Sequence, residues 1–207
     1  ALSPVLGDRV QAGNGLMYAV RAYARDEEGT PHHASIIAGG GRGAGYGADG
    51  MTRNCYPSSA SAVATEIIEN RVPVLIEESQ LIPDSGGRGK WRGSLGQRMT
   101  IRAKPGHTQP VSIYLHPDRL RFPAPGIHGG EPGRKVYIAF NDEDLAPDGQ
   151  LTTGEVILRT AEDRYTAEIA GGGGFGPASE RDPALIQRDL EHGYITREGW
   201  FGSEGED

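Results

Sequence analysis

Apolar and polar residues alternate with period two through much of this chain, and only two stretches carry the spacing of a helix. Gly15–Arg25 sets Leu16, Tyr18, Val20 and Ala22 on one parity, against Met17, Ala19, Arg21 and Tyr23 on the other. That pattern predicts a strand with one buried face. Asp26-Glu27-Glu28-Gly29 supplies a turn and His32–Ala38 a return strand, which together predict a hairpin. Further strands are predicted at Val74–Ile76, Gln97–Ala103, Val111–Leu115, Lys135–Phe140, Glu155–Arg159 and Tyr165–Ala170. The last two flank Ala161-Glu162-Asp163-Arg164 and read as a second hairpin. Ser59–Asn70 places Ala60, Val63, Ala64, Ile67 and Ile68 on one face, which predicts an amphipathic helix with Ser59 as N-cap and Asn70 as a left-handed stop. Asp182-Pro183 pairs a capping residue with proline at the first helical position, opening a short helix to His192.

Between these elements lie three glycine-dense stretches: Gly39–Gly50, Gln80–Gly96 and Gly171–Gly176. The middle one holds Gly86, Gly87, Gly89, Gly93 and Gly96, too much backbone entropy to be a helix. It reads as a tight reversal with φ > 0 at several positions, Arg88, Lys90 and Arg92 splayed outward and Trp91 folded back on the core. On the residues alone, a long turn between two strands is favoured over a binding loop.

Composition sharpens this picture. With 32 glycines and 14 prolines in 207 residues, the chain is turn-rich, and its 36% hydrophobic content arrives in clusters and is not diluted as in disorder. The expected class is α+β, β-rich, with mainly antiparallel sheets and long glycine-rich loops. One domain is expected over residues 1–198, with a flexible tail from Gly199. A net charge of −7 and the absence of a basic block argue against a nucleic-acid partner. No apolar run is long enough to span a bilayer, and no charged-then-apolar leader is present, so the expected location is the cytoplasm. One cysteine excludes an internal disulfide framework. A start at Ala1 suggests a piece of something longer.

Several motifs fail on context. Gly171-x-Gly173-x-x-Gly176 follows a strand, but the helix cap comes six residues later and no second strand follows to carry a ribose-binding acid. Gly89-Lys90 lacks the first glycine of a phosphate loop, and Trp91 stands where Ser or Thr must reach magnesium. His32, His33, His107, His116, His128 and His192 include no pair at the spacing of a zinc helix, and Cys55 has no cysteine partner. His116-Pro117-Asp118 reads as a strand-ending turn. Loop 39–50, ending in Asp49-Gly50, has consecutive amides that can form an anion nest, but the residues alone favour a plain turn.

Leu81-x-Pro83-Asp84-Ser85-Gly86-Gly87-x-Gly89-x-x-Arg92-Gly93-x-Leu95-Gly96 resembles the signature of the hydantoinase B/5-oxoprolinase family. The likeness extends along the chain. Gly39-Gly40-Gly41-x-Gly43-Ala44 through Asp49-Gly50, Glu66-x-x-Glu69 with Pro73-Val74 and Glu77, and Gly126 through Pro132-Gly133 resemble family segments in the same order. So does the closing block Gly171–Gly176, Arg181-Asp182-Pro183, Asp189, Gly193-Tyr194. Ala62-Val63-Ala64 depart from the Asn-Thr-Pro usual before the Glu-x-x-Glu.

The resemblance covers the C-terminal part of a longer B subunit. It implies a share in an ATP-dependent cyclic-amide hydrolase, with a ketone carboxylase subunit or a non-catalytic assembly module as alternatives. Implied partners are a hydantoinase A-like ATP-binding subunit and the N-terminal part of the B subunit, in a hetero-oligomer. ATP and magnesium are expected on the A subunit and a divalent metal on that N-terminal part, with no cofactor or metal held by this chain. No catalytic residue is assigned. Contacts to a phosphorylated substrate or intermediate are expected from Asp49, Asp84, Arg88, Lys90 and Arg92, on cations carried by a glycine-rich loop in an acidic chain.

Overall fold

The computed structural model describes residues 3–58, 60 and 63–202, and these form two antiparallel sheets with four short helices. The first sheet holds β1 (Met17–Arg25), β2 (Pro31–Gly39), β5 (Val111–His116) and β8 (Glu155–Leu158), in the order β2-β1-β5-β8. The second holds β3 (Val74–Leu81), β4 (Gln97–Ala103), β6 (Tyr137–Phe140), β7 (Glu143–Asp144) and β9 (Arg164–Ile169), in the order β3-β4-β9-β6-β7. The helices are α1 (Ser3–Leu6), α2 (Thr65–Arg71), α3 (Pro183–Glu191) and α4 (Arg197–Phe201). The class is the β-rich α+β expected from the alternation.

Tyr18, Val20, Ala22 and Ala24 of β1 are buried while Met17, Arg21, Tyr23 and Arg25 are exposed, as the parity required. The buried faces of both sheets share one apolar cluster, containing Val20, Ile113 and Leu158 of the first and Ile101, Ile138 and Ile169 of the second. Within it the hydroxyls of Tyr18 and Tyr165 hydrogen-bond to each other, so neither phenol is left unpaired where water is excluded. Burial pushes both phenols above their ordinary range.

At one edge of the sheets, strand ends meet the glycine-rich segments. Register aligns Met17 with Gly39 and Leu81 with Gln97 and Ile169, so β1, β2, β3, β4 and β9 start or stop together. Beyond that edge, residues 39–50, 82–96, 124–133 and 171–176 run side by side as a backbone layer. The N–H of Gly87 donates to Gly172 O, Gly172 to Ser94 O, Gly174 to Glu131 O and Ala44 to Gly173 O. Close approach is the reason for glycine here. A Cβ on Gly93 would lie 2.0 Å from Gly172 O, and one on Gly87 2.1 Å from Glu131 O. The positive φ expected at several positions of Gln80–Gly96 occurs there only at Asp84, with φ 57°.

Three expectations need correction. The helix expected over 59–70 is Thr65–Arg71: Ala60 bridges Cys55, Ala64 is extended with no side-chain cap, and Ser59, Ser61 and Ala62 lie outside the described residues. Asn70 is no stop, because the helix runs on to Arg71 and ends where Val72 is held extended before Pro73. Of the predicted face Ile68 is buried, while Val63 and Ile67 are exposed. The second hairpin does not form: β8 pairs with β5, β9 with β4 and β6, and the intervening turn carries the chain from one sheet to the other. The Asp163 carboxylate pins that turn by accepting from the N–H groups of Arg159 and Thr160. Finally, the stretch expected as a tail from Gly199 carries α4 as far as Phe201 with Trp200 buried, and residues 203–207 lie outside the described residues.

Gly93→Ala is expected to cost about 3 kcal/mol or more, at the top of the overpacking range, because the atom in the way is a backbone oxygen. Gly154 has open space around it and ordinary φ, so Gly154→Ala should stay within about 0.5 kcal/mol of the parent. Urea unfolding midpoints check both; equal midpoints would mean that the layer yields to a methyl group.

Candidate functional site

The chemistry-bearing side chains sit along the margin of the glycine layer. Asp182 accepts from the N–H of Ala184 at 2.9 Å and, with Pro183, starts α3. Two turns on, Asp189 falls on the inward face of that helix and is fully buried. Its carboxylate accepts from Arg92 Nε (2.8 Å), Arg181 Nη2 (2.7 Å) and Arg188 Nη2 (2.9 Å). Asp49, at the end of the first glycine loop, accepts from Arg181 Nη1 (2.7 Å) and Nη2 (2.9 Å), Arg188 Nη2 (2.9 Å) and the Arg92 N–H (2.7 Å). Aromatic faces complete the setting: the Arg92 guanidinium lies over Tyr194 at 5.5 Å and that of Arg181 over Trp200 at 5.6 Å.

Two aspartates and three arginines thus join residues 49, 92 and 181–189 in one ionic knot. Burial alone would raise both carboxyls, but at Asp189 hydrogen bonds from Arg92 and Arg188 with the charges of Arg92 and Arg181, and at Asp49 the hydrogen bonds and charges of Arg181 and Arg92, outweigh it and hold both below the usual range. Ion pairs this deep add little net stability over an apolar replacement, yet removing one partner is costly.

The five residues expected to contact substrate do not converge. Asp49 and Arg92 belong to the knot. Arg88 donates through Nε (2.8 Å) and Nη2 (2.9 Å) to both oxygens of Glu131, and through Nη1 to Trp200 O (2.8 Å). Lys90 pairs with Glu180 at 3.1 Å and lies over the Trp91 ring. Asp84 accepts from the N–H (2.8 Å) and hydroxyl (2.7 Å) of Thr196, the N-cap of α4. A Cβ on Gly199 would strike that carboxylate. The three cations therefore do not splay outward: each has found a carboxylate, and Arg92 is 4% exposed. Trp91 packs against Phe175 and Tyr46 instead of the sheet core.

Sequence reasoning missed Arg181, Arg188, Asp189 and Glu131 as members of the ionic network. One signal was available: in the helix from Asp182, Asp189 shares the stripe of Leu185 and Ile186, where a carboxylate must find cations. Loop 39–50 is not a free anion nest, since the N–H groups of Gly40, Gly41, Arg42, Gly43, Ala44 and Gly50 all donate within the chain. The same holds from Gly172 to Gly176. Cys55 is buried, which pushes its thiol up and away from the thiolate. Among the described residues no three His, Cys, Asp or Glu side chains gather where one metal ion could be held. No helix there is long and apolar enough to cross a membrane.

Asp189→Asn is expected to destabilise the fold by about 3–5 kcal/mol, the cost of breaking a buried pair. It should also flatten the acid limb. Carboxyls depressed in the folded state contribute fully above the unfolded value near pH 4, and that contribution vanishes as pH falls through their lower folded values. Urea midpoints between pH 2 and 7 for parent and variant check this, and parallel limbs would exclude Asp189 as a source of acid sensitivity.

The Hydantoinase B/oxoprolinase family model matches residues 1–178. A putative D-/L-hydantoinase B subunit of Pseudomonas sp. (strain NS671) is 27% identical over 204 residues, covering 96% of this chain and 33% of that protein. The crystal structure of the ATP-dependent caprolactamase from Pseudomonas jessenii superposes with a TM-score of 0.80 at 22% identity, covering all of this chain and 37% of that one. The nucleotide-free structure of an acetone carboxylase gives 0.70 at 18% identity, covering 96% and 31%. Both structural likenesses are of fold, and the chain spans about a third of each of these three proteins. The glycine stretches that interlock in the layer and the Arg181–Asp189 block that ties it lie along the order of segments first read from the sequence, and the chain belongs to the Hydantoinase B/oxoprolinase family.

Proposed function

We propose that this chain is the C-terminal portion of the B subunit of an ATP-dependent cyclic-amide hydrolase of the hydantoinase or oxoprolinase kind. The match of the family model over residues 1–178 carries this reading. In it, ATP on a hydantoinase A-like partner phosphorylates the amide oxygen, turning a poor electrophile into one with a good leaving group. The phosphorylated intermediate passes to the B subunit, where water adds at the activated carbon, the C–N bond breaks with a proton passing to the departing nitrogen, and a second water hydrolyses the resulting acyl phosphate to carboxylate and phosphate. The glycine layer forms one wall of that receiving site. Arg88 and Lys90, whose side chains are half exposed, meet the intermediate's negative charge, while Asp49, Asp84 and Arg92 hold the loops that present them. ATP and magnesium stay on the A subunit, and a divalent metal belongs to the N-terminal part of the B subunit. The working unit is a cytoplasmic hetero-oligomer.

The likeness of fold to acetone carboxylase favours a second reading, a share in a ketone carboxylase. In that reading the oxygen phosphorylated is that of an enol. A scaffold role without chemistry is the third.

Reconstitution with the A subunit and the rest of the B subunit separates them. ATP-dependent opening of hydantoin, 5-oxoproline or a lactam is expected, and bicarbonate incorporation into a ketone would instead select the carboxylase. Arg88→Ala in that assembly should lower kcat/KM by about tenfold or more, the worth of a charge-assisted hydrogen bond. Unchanged rates in an assembly that still needs the chain would leave it a scaffold.

A further inference from the structure

The buried and half-buried arginines divide into two groups. Arg88, Arg92, Arg98, Arg102, Arg164 and Arg181 each sit against a carboxylate. Arg42 and Arg119 have no carboxylate partner among the described residues, and both reach the same short stretch, residues 11–14. Arg42 Nη2 donates to Gln11 Oε1 at 3.3 Å, and Arg119 Nη2 to Asn14 O at 3.1 Å. The Asn14 side chain ties them together, its oxygen accepting from Gln11 Nε2 at 3.2 Å and from the Gly43 N–H at 3.0 Å. The Nε of each arginine is buried with no hydrogen-bond acceptor among the described residues, as are those of Arg102 and Arg181, which differ in having a carboxylate within ion-pair range.

Both arginines are held in place. Arg42 stands between Gly41 and Gly43, where a Cβ would meet Ser94 Cβ at 2.3 Å and Ala12 O at 2.1 Å, and its guanidinium lies over the Tyr56 ring at 5.6 Å. Arg119 has φ 62°, a left-handed conformation that costs a non-glycine residue free energy and persists where its surroundings impose it. Two guanidinium charges fixed on one short stretch, with buried donors and only neutral acceptors, are under-satisfied in a chain that pairs its other sheltered arginines.

We propose that Arg42 and Arg119 form an oxyanion site that takes a carboxylate or phosphate group. This concerns binding alone and does not rest on the reaction proposed above. Two sources offer that chemistry: a small-molecule anion, or an Asp or Glu side chain of the rest of the assembly.

Calorimetric titration of the 207-residue chain with inorganic phosphate and with malonate tests it. Saturable, salt-sensitive binding of at least one anion is expected, weakened about tenfold or more by Arg42→Gln or Arg119→Gln. Arg42→Lys and Arg119→Lys, which keep the charge and lose the planar fork, should retain part of it. Unfolding midpoints for each variant separate lost binding from lost fold. The same titration on the complete assembly distinguishes the sources: continued binding identifies a small-molecule site, and binding by the free chain alone identifies a protein carboxylate as occupant. No saturable binding of either anion by the chain, or equal binding by parent and folded variants, overturns the proposal.

Discussion

The whole molecule depends on main chains lying closer together than any side chain permits. At Gly93 and Gly172, at Gly87 and Glu131, and at Gly174 and Arg88, a single added carbon would overlap a carbonyl oxygen or its neighbour. Such contact satisfies backbone donors and acceptors in segments that belong to neither sheet, which is what allows long irregular stretches to be buried. It also costs heavily in entropy, since glycine loses the most freedom on ordering. The layer has few apolar side chains of its own to offset that, so it depends on the sheets beside it. Strands that stop in register at its edge fix where each segment enters.

The ionic knot solves a second problem that the layer creates. Segments held by backbone bonds alone can slide, because a ladder of like contacts has weakly specified register. Asp49, Arg92 and the Arg181–Asp189 pair come from three segments far apart in the chain, and their hydrogen bonds are satisfied in one relative placement. Arg88 with Glu131 and Asp84 with Thr196 fasten two further points. Directional bonds of this kind select an arrangement more than they add stability.

What could be read from the residues follows from periodicity. β1 and β2 were legible because alternation and a local turn agree, and α3 because its cap and proline fall side by side. The pairing of β8 and β9 was not legible: two strands joined by a tight turn look like a hairpin whether they share a sheet or part into two. The helix near residue 65 was overextended because Ala60 and Val63 fit a helical face, while Ala60 is in fact bridged to Cys55. For the glycine stretches, composition announced unusual backbone without its reason. Positive φ and close approach favour the same residue, and only the three-dimensional arrangement tells them apart. The cations of Gln80–Gly96 were visible, but Glu131, Glu180 and Asp189, which pair with them, lie roughly 40 to 100 residues downstream.

That pairing bears on how this fold can recognise a charged ligand. Glycine-rich loops commonly bind anions through free amides, and here the amides of residues 40–44 and 172–176 are already donated to other parts of the chain. Backbone recognition is therefore closed off along most of the layer, and selectivity for charge must come from side chains at its margins. Most of those side chains are committed in turn to the carboxylates that hold the layer together. An acidic chain can carry this many arginines in sheltered positions because it neutralises them internally. Wherever that neutralisation stops, the remaining positive charge is poised for something outside the chain.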